Sequence, residues 1–379
     1  MQKEIIVIGD VEIGAGNLTD DFISDKALSE LILSLKRKRH PVDLIMNGDT
    51  FDFLKCPYLE QGKYVYPRHI TKEISLGKLA LMYKAHYRLF QAWKVFVAAK
   101  DCNLYFITGN HDHDLFFPEV RKKIKALLGN SRGVHFPGLS YRFGEVYVEH
   151  GQQYDFLHQV NFKNMFVNYK GQFLLNFPWV SFGLISSFMD IKEEYPFMER
   201  IHPRPILLYF HSLILRKIRL RSIGYVLKSI LYYPFRYYDD PTYRFPQQLF
   251  GELLRRVKLR HWEVDEIVGV FKRKRAGVLK KHKIYVLGHI HKKYVEHRQD
   301  CVIIHPGSWR DEYFLDKKTK ILRPRKKYYV QIKVFPAKIE HEVKEYHIKR
   351  SSFFFDEVRK NERLYLQLAA LEEGYDLKL

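Results

Sequence analysis

Six short runs rich in Ile, Val, Leu and Tyr constrain the fold of this 379-residue chain most strongly. Runs of this length and composition are typical of buried β-strands. Stretches of helical periodicity, around Lys26 to Arg39 and Leu76 to Ala99, separate the first three runs. Strands that alternate with helices predict a layered α/β architecture. The runs are Glu4 to Gly9, Val42 to Asn47, Asn103 to Thr108, Glu145 to Glu149, Lys283 to Leu287 and Cys301 to Ile304.

Polar residues that can bind a metal follow five of these runs. In open α/β sheets, functional groups gather at the carboxyl ends of the strands, so the five loops are expected to meet in one crevice. Each group alone is a weak signal, because a lone Asp after a strand is more often a helix cap than a ligand. Together and in this order they predict a metal centre. The candidate ligands are Asp10, Glu12, Asp49, Asn110, His150, His289 and His291.

The order Asp-x-Glu, Gly-Asp, Gly-Asn-His-Asp, His and Gly-His-x-His resembles the pattern of the calcineurin-like metallophosphoesterases, over residues 4–155 and 283 to about 340. The resemblance implies a four-layer α-β-β-α sandwich with a long helical insertion. It also implies two divalent metal ions, with Mn²⁺ favoured and Fe, Zn or Mg as alternatives. Oxygen and imidazole ligands suit these metals better than calcium.

The same resemblance assigns a role to each candidate residue. Asp10 and His291 are expected to bind one ion, and Asp49 to bridge both ions. Asn110, His150 and His289 are expected to bind the other ion. His111 would be a catalytic residue that faces the substrate, and Asp112 would hold its ring. The implied reaction is hydrolysis of a phosphoester or pyrophosphate by a metal-bridging hydroxide that attacks phosphorus in line.

Glu12 departs from the family pattern, which has His at this position. One interpretation is that Glu12 still binds metal, and its anionic oxygen would then favour Mn²⁺ or Mg²⁺ over zinc. The other is that Glu12 points elsewhere and the first ion is held loosely.

Two motifs narrow the resemblance to one branch of the family. The runs His150 to Asp155 and Pro306 to Trp309 look like the branch that includes UDP-2,3-diacylglucosamine diphosphatase, a peripheral membrane enzyme. That enzyme usually carries Arg where this chain has His111, and its insertion is shorter. The resemblance therefore implies only a related substrate, a membrane-associated or nucleotide-linked phosphate such as a UDP-sugar lipid.

Residues 157–280 interrupt the strand–helix rhythm. They hold 21 Lys and Arg against 10 Asp and Glu, in a chain of net charge +21. We predict a core of residues 1–156 and 281–345, a helical insertion of residues 157–280, and a C-terminal helical tail of residues 346–379. Apolar groups at 173–179 and 206–210 lie near basic clusters at 216–221 and 255–260, as in an interfacial helix at an anionic membrane. An ordinary cap with its own small core is the alternative.

Composition adds broad limits. Three cysteines without paired spacing argue against a disulfide framework and fit a reducing compartment. No secretory signal is recognised at the N-terminus. The uncharged stretch 171–188 contains Pro178 and Asn176 and is a poor membrane span. We therefore expect a cytoplasmic protein, with peripheral association at the inner face of the membrane as an open alternative. A metal-dependent nuclease is the alternative enzyme, although nucleic acid is the less favoured partner. A non-catalytic scaffold with the same fold is the alternative outside the enzymes. The sequence does not indicate an oligomeric state.

Overall fold

The computed structural model describes residues 2–60, 62–66, 68–244, 264–275, 277, 279 and 281–377. All six predicted strands are present, with ends shifted by at most two residues. The strands are β1 (Lys3–Ile8), β2 (Val42–Asn47), β3 (Tyr58–Glu60), β4 (Lys63–Val65), β5 (Cys102–Ile107), β6 (Val134–Gly138), β7 (Ser140–Phe143), β8 (Val146–Glu149), β9 (Phe166–Tyr169), β10 (Gln172–Leu175), β11 (Ile201–His202), β12 (Ile284–Val286), β13 (Lys293–His297), β14 (Val302–Pro306), β15 (Tyr313–Leu315), β16 (Ile321–Pro324), β17 (Lys327–Val334), β18 (Ile339–Tyr346) and β19 (Phe353–Phe354).

Eleven α-helices lie in the part of the chain that the structure describes. They are α1 (Asp25–Leu35), α2 (Lys72–Ala85), α3 (Tyr87–Val97), α4 (Pro118–Leu127), α5 (Ser186–Glu194), α6 (Arg204–Phe210), α7 (Ser212–Leu231), α8 (Tyr233–Tyr237), α9 (Val264–Lys274), α10 (Phe355–Val358) and α11 (Glu362–Glu372). Short 3₁₀ turns occur at His113–Phe116, Gln152–Tyr154, Phe162–Asn164 and Pro241–Tyr243, and a π turn at Ser181–Ile185.

Two sheets form the centre of the molecule. The first has six strands in the order β18-β17-β1-β2-β5-β6, in which β1, β2, β5 and β6 are parallel. The second has five strands in the order β13-β14-β12-β8-β7, in which β14, β12 and β8 are parallel. Parallel strands end at the same edge of a sheet, so each sheet collects its loops at one edge.

The strands alternate their side chains between two cores, as the period of two requires. Ile5 and Val7 of β1 pack with Val148 and Val286 between the two sheets. Ile6, from the opposite face of β1, belongs to the core under α1 to α4. The outer face of the second sheet packs against α9. The predicted four-layer α-β-β-α sandwich is therefore confirmed.

The predicted helix from Leu76 to Ala99 is two helices, α2 and α3, divided at His86. The backbone of His86 has φ −111° and ψ 36°, which is not helical. Its buried imidazole lies between Asp25 (Nδ1 to Oδ2, 2.7 Å) and Asp20 (Nε2 to Oδ2, 2.8 Å). These tertiary contacts replace the helical conformation that the apolar periodicity predicts.

The described part of the segment 157–280 contains strands as well as helices. It contains the β9–β10 hairpin, and its strand β11 pairs in parallel with β15 in a small sheet of order β11-β15-β16-β19. The predicted tail packs on this sheet, where Leu366 of α11 shares a buried core with Phe197 and Tyr313. The apolar residues of the two segments cover each other.

The uncharged stretch 171–188 spans β10, the π turn and the start of α5 rather than one helix. Among the described residues, none of the helices has the length and hydropathy that a membrane crossing requires. The basic cluster at 255–260 lies outside the described residues.

Candidate metal centre

The candidate ligands from five separate loops lie together at one end of the two sheets. The backbone N–H of His289 donates to Asp10 Oδ1 (3.1 Å), which joins the loop after β12 to the loop after β1. The Nε2 atom of His150 lies 3.1 Å from Asp49 Oδ2 and 3.2 Å from Asn110 Oδ1. These contacts bring together residues that are up to 279 positions apart in the sequence.

Unusual backbone conformations concentrate in these loops. Asp10 (φ 32°), Glu12 (φ 53°), Asp49 (φ 47°), His289 (φ 77°) and His291 (φ 51°) all lie in the left-handed region. A side chain there costs on the order of 1–3 kcal/mol, and such strain clusters at functional sites because the surrounding structure holds it. The positions of these five side chains are therefore imposed by the fold.

A glycine allows the closest approach between two of the loops. A Cβ atom on Gly109 would lie 2.2 Å from Asp49 Oδ1 and 2.4 Å from the Asp49 backbone nitrogen. No side chain fits at this distance, so glycine is required beside Asn110. The loop after β5 can thereby place Asn110 against the loop after β2.

Asp49, Asn110, His150 and His289 form the most compact donor set, which we call the four-residue cluster. One ligand atom each from Asp49, His150 and His289 lie within 4.8 Å of one another. The Oδ1 atom of Asn110 is 2.8 Å from His289 Nδ1. All four side chains are largely excluded from solvent. Carboxylate, amide and imidazole donors at these distances fit a divalent transition metal.

Hydrogen bonds on the far side of each imidazole fix which nitrogen faces the cluster. The Nδ1–H of His150 donates to the carbonyl oxygen of Asn47 (2.8 Å), which leaves Nε2 toward Asp49. The Nε2–H of His289 donates to Asp155 Oδ2 (3.3 Å), which leaves Nδ1 toward Asn110. Such outer partners orient histidines that bind metals.

The charges of the cluster also fit a cation. Burial opposes a charge on His150, but the carboxylates of Asp49 and Asp10 raise its pKa to about 10. Burial lowers the pKa of His289 to about 4, so its Nδ1 lone pair is available at neutral pH. A divalent ion in the cluster would displace the proton from His150 and satisfy the same carboxylates.

Asp10, Glu12 and His291 form a second group of candidate ligands. The Nε2 atom of His291 is 3.6 Å from Asp10 Oδ1 and 3.4 Å from Glu12 Oε1. The Glu12 carboxylate is fully buried and contacts two basic side chains: Lys55 Nζ donates to Oε2 (2.8 Å), and Arg310 lies 3.2 Å from Oε1. Burial opposes its ionisation, but Arg310, His111 and Lys55 hold the pKa of Glu12 down to about 2.

The expected role of Asp112 is wrong. The ring of His111 is held by Asp52, whose Oδ1 lies 2.8 Å from Nδ1. The carboxylate of Asp112 turns inward instead and accepts hydrogen bonds from the backbone N–H groups of Gly109 (2.5 Å) and Thr50 (3.0 Å). Two buried N–H groups from different loops thus find their acceptor in Asp112, which fixes those loops beside Asp49.

His111 lies at the entrance of the site with its side chain 14% exposed. Burial lowers its pKa, but Glu12, Asp49 and Asp52 outweigh this effect and raise the pKa to about 9. The imidazole therefore carries a proton at neutral pH.

Several residues of the site were not found by sequence reasoning. Lys55 follows the loop after β2, and Arg310 follows the Pro306 to Trp309 run. The Glu at position 12, where the family pattern has a neutral His, is a signal that could have prompted a search for a nearby cation. The Pro306 to Trp309 run holds the loop of Asp10 in place. The backbone carbonyl oxygen of Asp10 accepts hydrogen bonds from Trp309 N (2.9 Å) and Ser308 Oγ (3.1 Å).

No family model and no curated protein matches this chain. Similar solved structures include an archaeal phosphodiesterase at 8% identity, which covers 90% of this chain and 99% of that chain with a TM-score of 0.31. A putative 5'-nucleotidase from Staphylococcus aureus is 15% identical. The match covers 97% of this chain and 58% of that chain, with a TM-score of 0.33. Vps29 from Entamoeba histolytica, in complex with zinc, is 9% identical. The match covers 91% of this chain and 99% of that chain, with a TM-score of 0.28. Similarities this distant do not decide the activity of this chain.

Proposed function

We propose that this protein is a metal-dependent phosphoester hydrolase whose substrate is a phosphate carried at an anionic membrane surface. The observation that supports the catalytic part is the four-residue cluster of Asp49, Asn110, His150 and His289. Two imidazole nitrogens converge on its carboxylate and amide oxygens. Its residues come from four loops that are held in strained conformations or close contact, which structural packing alone does not require.

A divalent ion bound there, with Mn²⁺ favoured, would polarise a phosphoryl oxygen and lower the pKa of a bound water. His111 stands beside the cluster, and its backbone N–H donates to Asp49 Oδ1 (2.8 Å). Asp52 fixes the ring through Nδ1, so Nε2 is the nitrogen available to a substrate. Because its pKa is raised to about 9, His111 can stabilise negative charge on the phosphoryl group and donate a proton to the leaving oxygen.

Turnover of small phosphate esters tests this proposal. The purified chain with Mn²⁺ is expected to hydrolyse p-nitrophenyl phosphate or bis(p-nitrophenyl) phosphate. His289→Ala is expected to lose turnover together with bound Mn²⁺. His111→Ala is expected to lose roughly 10²-fold or more in turnover yet keep its metal, since general acid catalysis contributes about 10²–10⁴-fold. His347→Ala is the control, because this imidazole, directly after β18, is 86% exposed. A wild-type chain that binds Mn²⁺ but turns over neither ester would favour the scaffold alternative.

Helix α7 supports the membrane part of the proposal. It contains no acidic residue and five basic ones, and it exposes a stripe of large apolar side chains. Leu220 is 61% exposed and Leu227, seven residues later, is 52% exposed. Aromatic side chains continue the surface in and after α8, where Phe235 is 79% exposed. Exposed apolar groups beside Lys and Arg are suited to anionic lipid headgroups.

A cavity of about 260 Å³, lined in part by large apolar side chains, supports a substrate with an apolar group. Its lining includes Leu157, Phe177, Trp179 and Phe182. Leu157 is two residues beyond Asp155, whose carboxylate binds the ring of His289. The chain thus runs from a residue that supports the four-residue cluster directly into the lining of this cavity.

Sedimentation with lipid vesicles tests the membrane surface. The wild-type chain is expected to sediment with phosphatidylglycerol vesicles but not with phosphatidylcholine vesicles. The double variant Leu220→Glu/Leu227→Glu is expected to remain in solution, whereas Leu371→Glu, which changes a 69% exposed leucine on α11, is expected to bind normally. Equal binding of the wild type and the double variant would refute the assignment of this surface. Salt-sensitive binding and cleavage of single-stranded DNA, without vesicle binding, would favour the nuclease alternative.

A further inference from the structure

The surroundings of Glu12 do not fit the first of the two metal ions that the family resemblance implies. A metal ligand needs an oxygen whose negative charge is free for the cation. Both oxygens of Glu12 already lie near a basic group: Oε2 accepts from Lys55 at 2.8 Å, and Oε1 lies 3.2 Å from Arg310, an ion-pair distance without a hydrogen bond. The side chains of Lys55 and Arg310 are each only 5% exposed, so solvent screens neither of them.

The buried ion pairs of Lys55 and Arg310 continue beyond Glu12. Lys55 also contacts Asp21 (3.0 Å) and Glu199 (3.1 Å). Arg310 contacts the same two carboxylates, at 2.6 and 3.7 Å. Lys192 is the third cation, 2.6 Å from Asp21 and 2.9 Å from Glu199. Three basic side chains thus meet the carboxylates of Glu12, Asp21 and Glu199, and we call this set the six-residue ion network. Lys55 also lies 3.2 Å from Asp52, and Arg310 lies 4.0 Å from Glu312.

His291 is drawn into the same network. Its Nδ1 atom lies 2.9 Å from Glu312 Oε1 and 3.2 Å from the Arg310 guanidinium. An ion that bound Glu12 and His291 together would lie within a few ångströms of Arg310 and Lys55. Like charges repel strongly at that distance when both are buried.

The four-residue cluster differs in this respect. Asp49 pairs with the imidazole of His150 and accepts from the backbone N–H of His111. The Oδ1 atom of Asn110 contacts the imidazoles of His150 and His289. In the described part of the chain, neither residue contacts a Lys or Arg side chain in this way. Among the described residues, Asp49 therefore pairs with His150, whereas Glu12 pairs with Lys55 and Arg310.

We infer that this protein binds a single divalent ion per chain, at Asp49, Asn110, His150 and His289, and that Lys55 and Arg310 take the place of the second ion beside Glu12. This inference deepens the proposed function, on which it rests, and it assigns Glu12 to the six-residue ion network rather than to a metal. Lys55 and Arg310 supply fixed positive charge at this position, and no second set of metal ligands is needed.

Metal counting on the full-length chain tests the inference. After saturation with Mn²⁺ and removal of excess ion, mass spectrometry of the metal is expected to give one Mn²⁺ per chain, with the paramagnetic resonance spectrum of an isolated ion. Glu12→Ala and His291→Ala are expected to keep that one ion, and His289→Ala to lose it. Thermal unfolding and circular dichroism of each variant show whether it is folded.

A gain of binding gives a second, independent measurement. The double variant Glu12→His/Lys55→Met restores a neutral nitrogen and removes the nearest ammonium, and it is expected to bind a second Mn²⁺. The matched variant Glu12→His/Lys55→Arg keeps the positive charge and is expected to stay at one ion. Two ions per wild-type chain with an exchange-coupled spectrum would overturn the inference and leave the hydrolase proposal standing. Loss of the ion in Glu12→Ala, in a folded chain, would also overturn it. A wild type with no bound Mn²⁺ and no turnover would overturn both.

Discussion

Substitution of His86 is expected to change how the stability of this protein depends on pH. His86 is fully buried between the carboxylates of Asp20 and Asp25. Burial alone would lower its pKa, but the two carboxylates raise it from the ordinary 6.5 to about 10. The folded chain therefore holds this proton over a pH range in which the unfolded chain releases it.

The magnitude follows from the two pKa values. Each pH unit between them corresponds to 1.36 kcal/mol, so the pair of contacts contributes about 5 kcal/mol when His86 is fully protonated. Because the folded pKa is the higher one, this stability is complete below pH 6.5 and is lost as the pH rises toward 10. The contribution is expected to fall by about 3 kcal/mol between pH 7 and pH 9.

Urea unfolding of the wild type and of His86→Gln, at several values of pH, measures this effect. At pH 6 the variant is expected to be about 3–5 kcal/mol less stable, because two buried carboxylates lose their cation. At pH 9 most of that difference is expected to disappear. His347→Gln, which changes an exposed imidazole, is expected to follow the wild type at every pH. A difference between the wild type and His86→Gln that stays constant from pH 6 to pH 9 would refute the reasoning.

Two further predictions concern the close approach at the site and the accessibility of thiols. Gly109→Ala is expected to weaken Mn²⁺ binding by about 10-fold or more, because a Cβ atom would lie 2.2 Å from Asp49 Oδ1. Gly224→Ala, in α7 with no atom within 4 Å of the new Cβ, is the control and is expected to bind Mn²⁺ normally, as titration calorimetry would show. In thiol labelling, the half-buried Cys301 is expected to react in the native chain. Cys56 is expected to react only after unfolding, because it is buried and burial raises its pKa well above the usual range. Rapid native labelling of Cys56 would contradict its packing.

The strands and the loops that follow them could be predicted because their signals are local. Ile6 and Ile8 alternate with Ile5 and Val7 because both faces of β1 are covered, which gives an uninterrupted apolar run in the sequence. The polar residue that ends such a run must lie at the edge of the sheet. For that reason the position of Asp10 could be predicted from the sequence alone.

The partner of His111 could not be predicted in the same way. Asp112 is its neighbour in the chain, whereas Asp52 is 59 residues away. The choice between them depends on the backbone N–H groups of Gly109 and Thr50, which lie in different loops and both need an acceptor. Asp112 satisfies them, and Asp52 is left for the imidazole. The sequence predicts that these two loops meet, but not which of their backbone N–H groups need an acceptor.

Composition did not show that buried ion pairs cross the boundary between the predicted core and the predicted insertion. Lys192 and Glu199 belong to the predicted insertion, yet both contact residues of the core: Lys192 binds Asp21, and Glu199 binds Lys55. Lys55 in turn binds Glu12. Breaking a buried pair of this kind by removal of one partner costs about 3–5 kcal/mol. Residues 192–199 therefore cannot separate from the core without exposing charges beside the candidate metal centre, and this part of the insertion is a structural element of the site rather than an appendage to it.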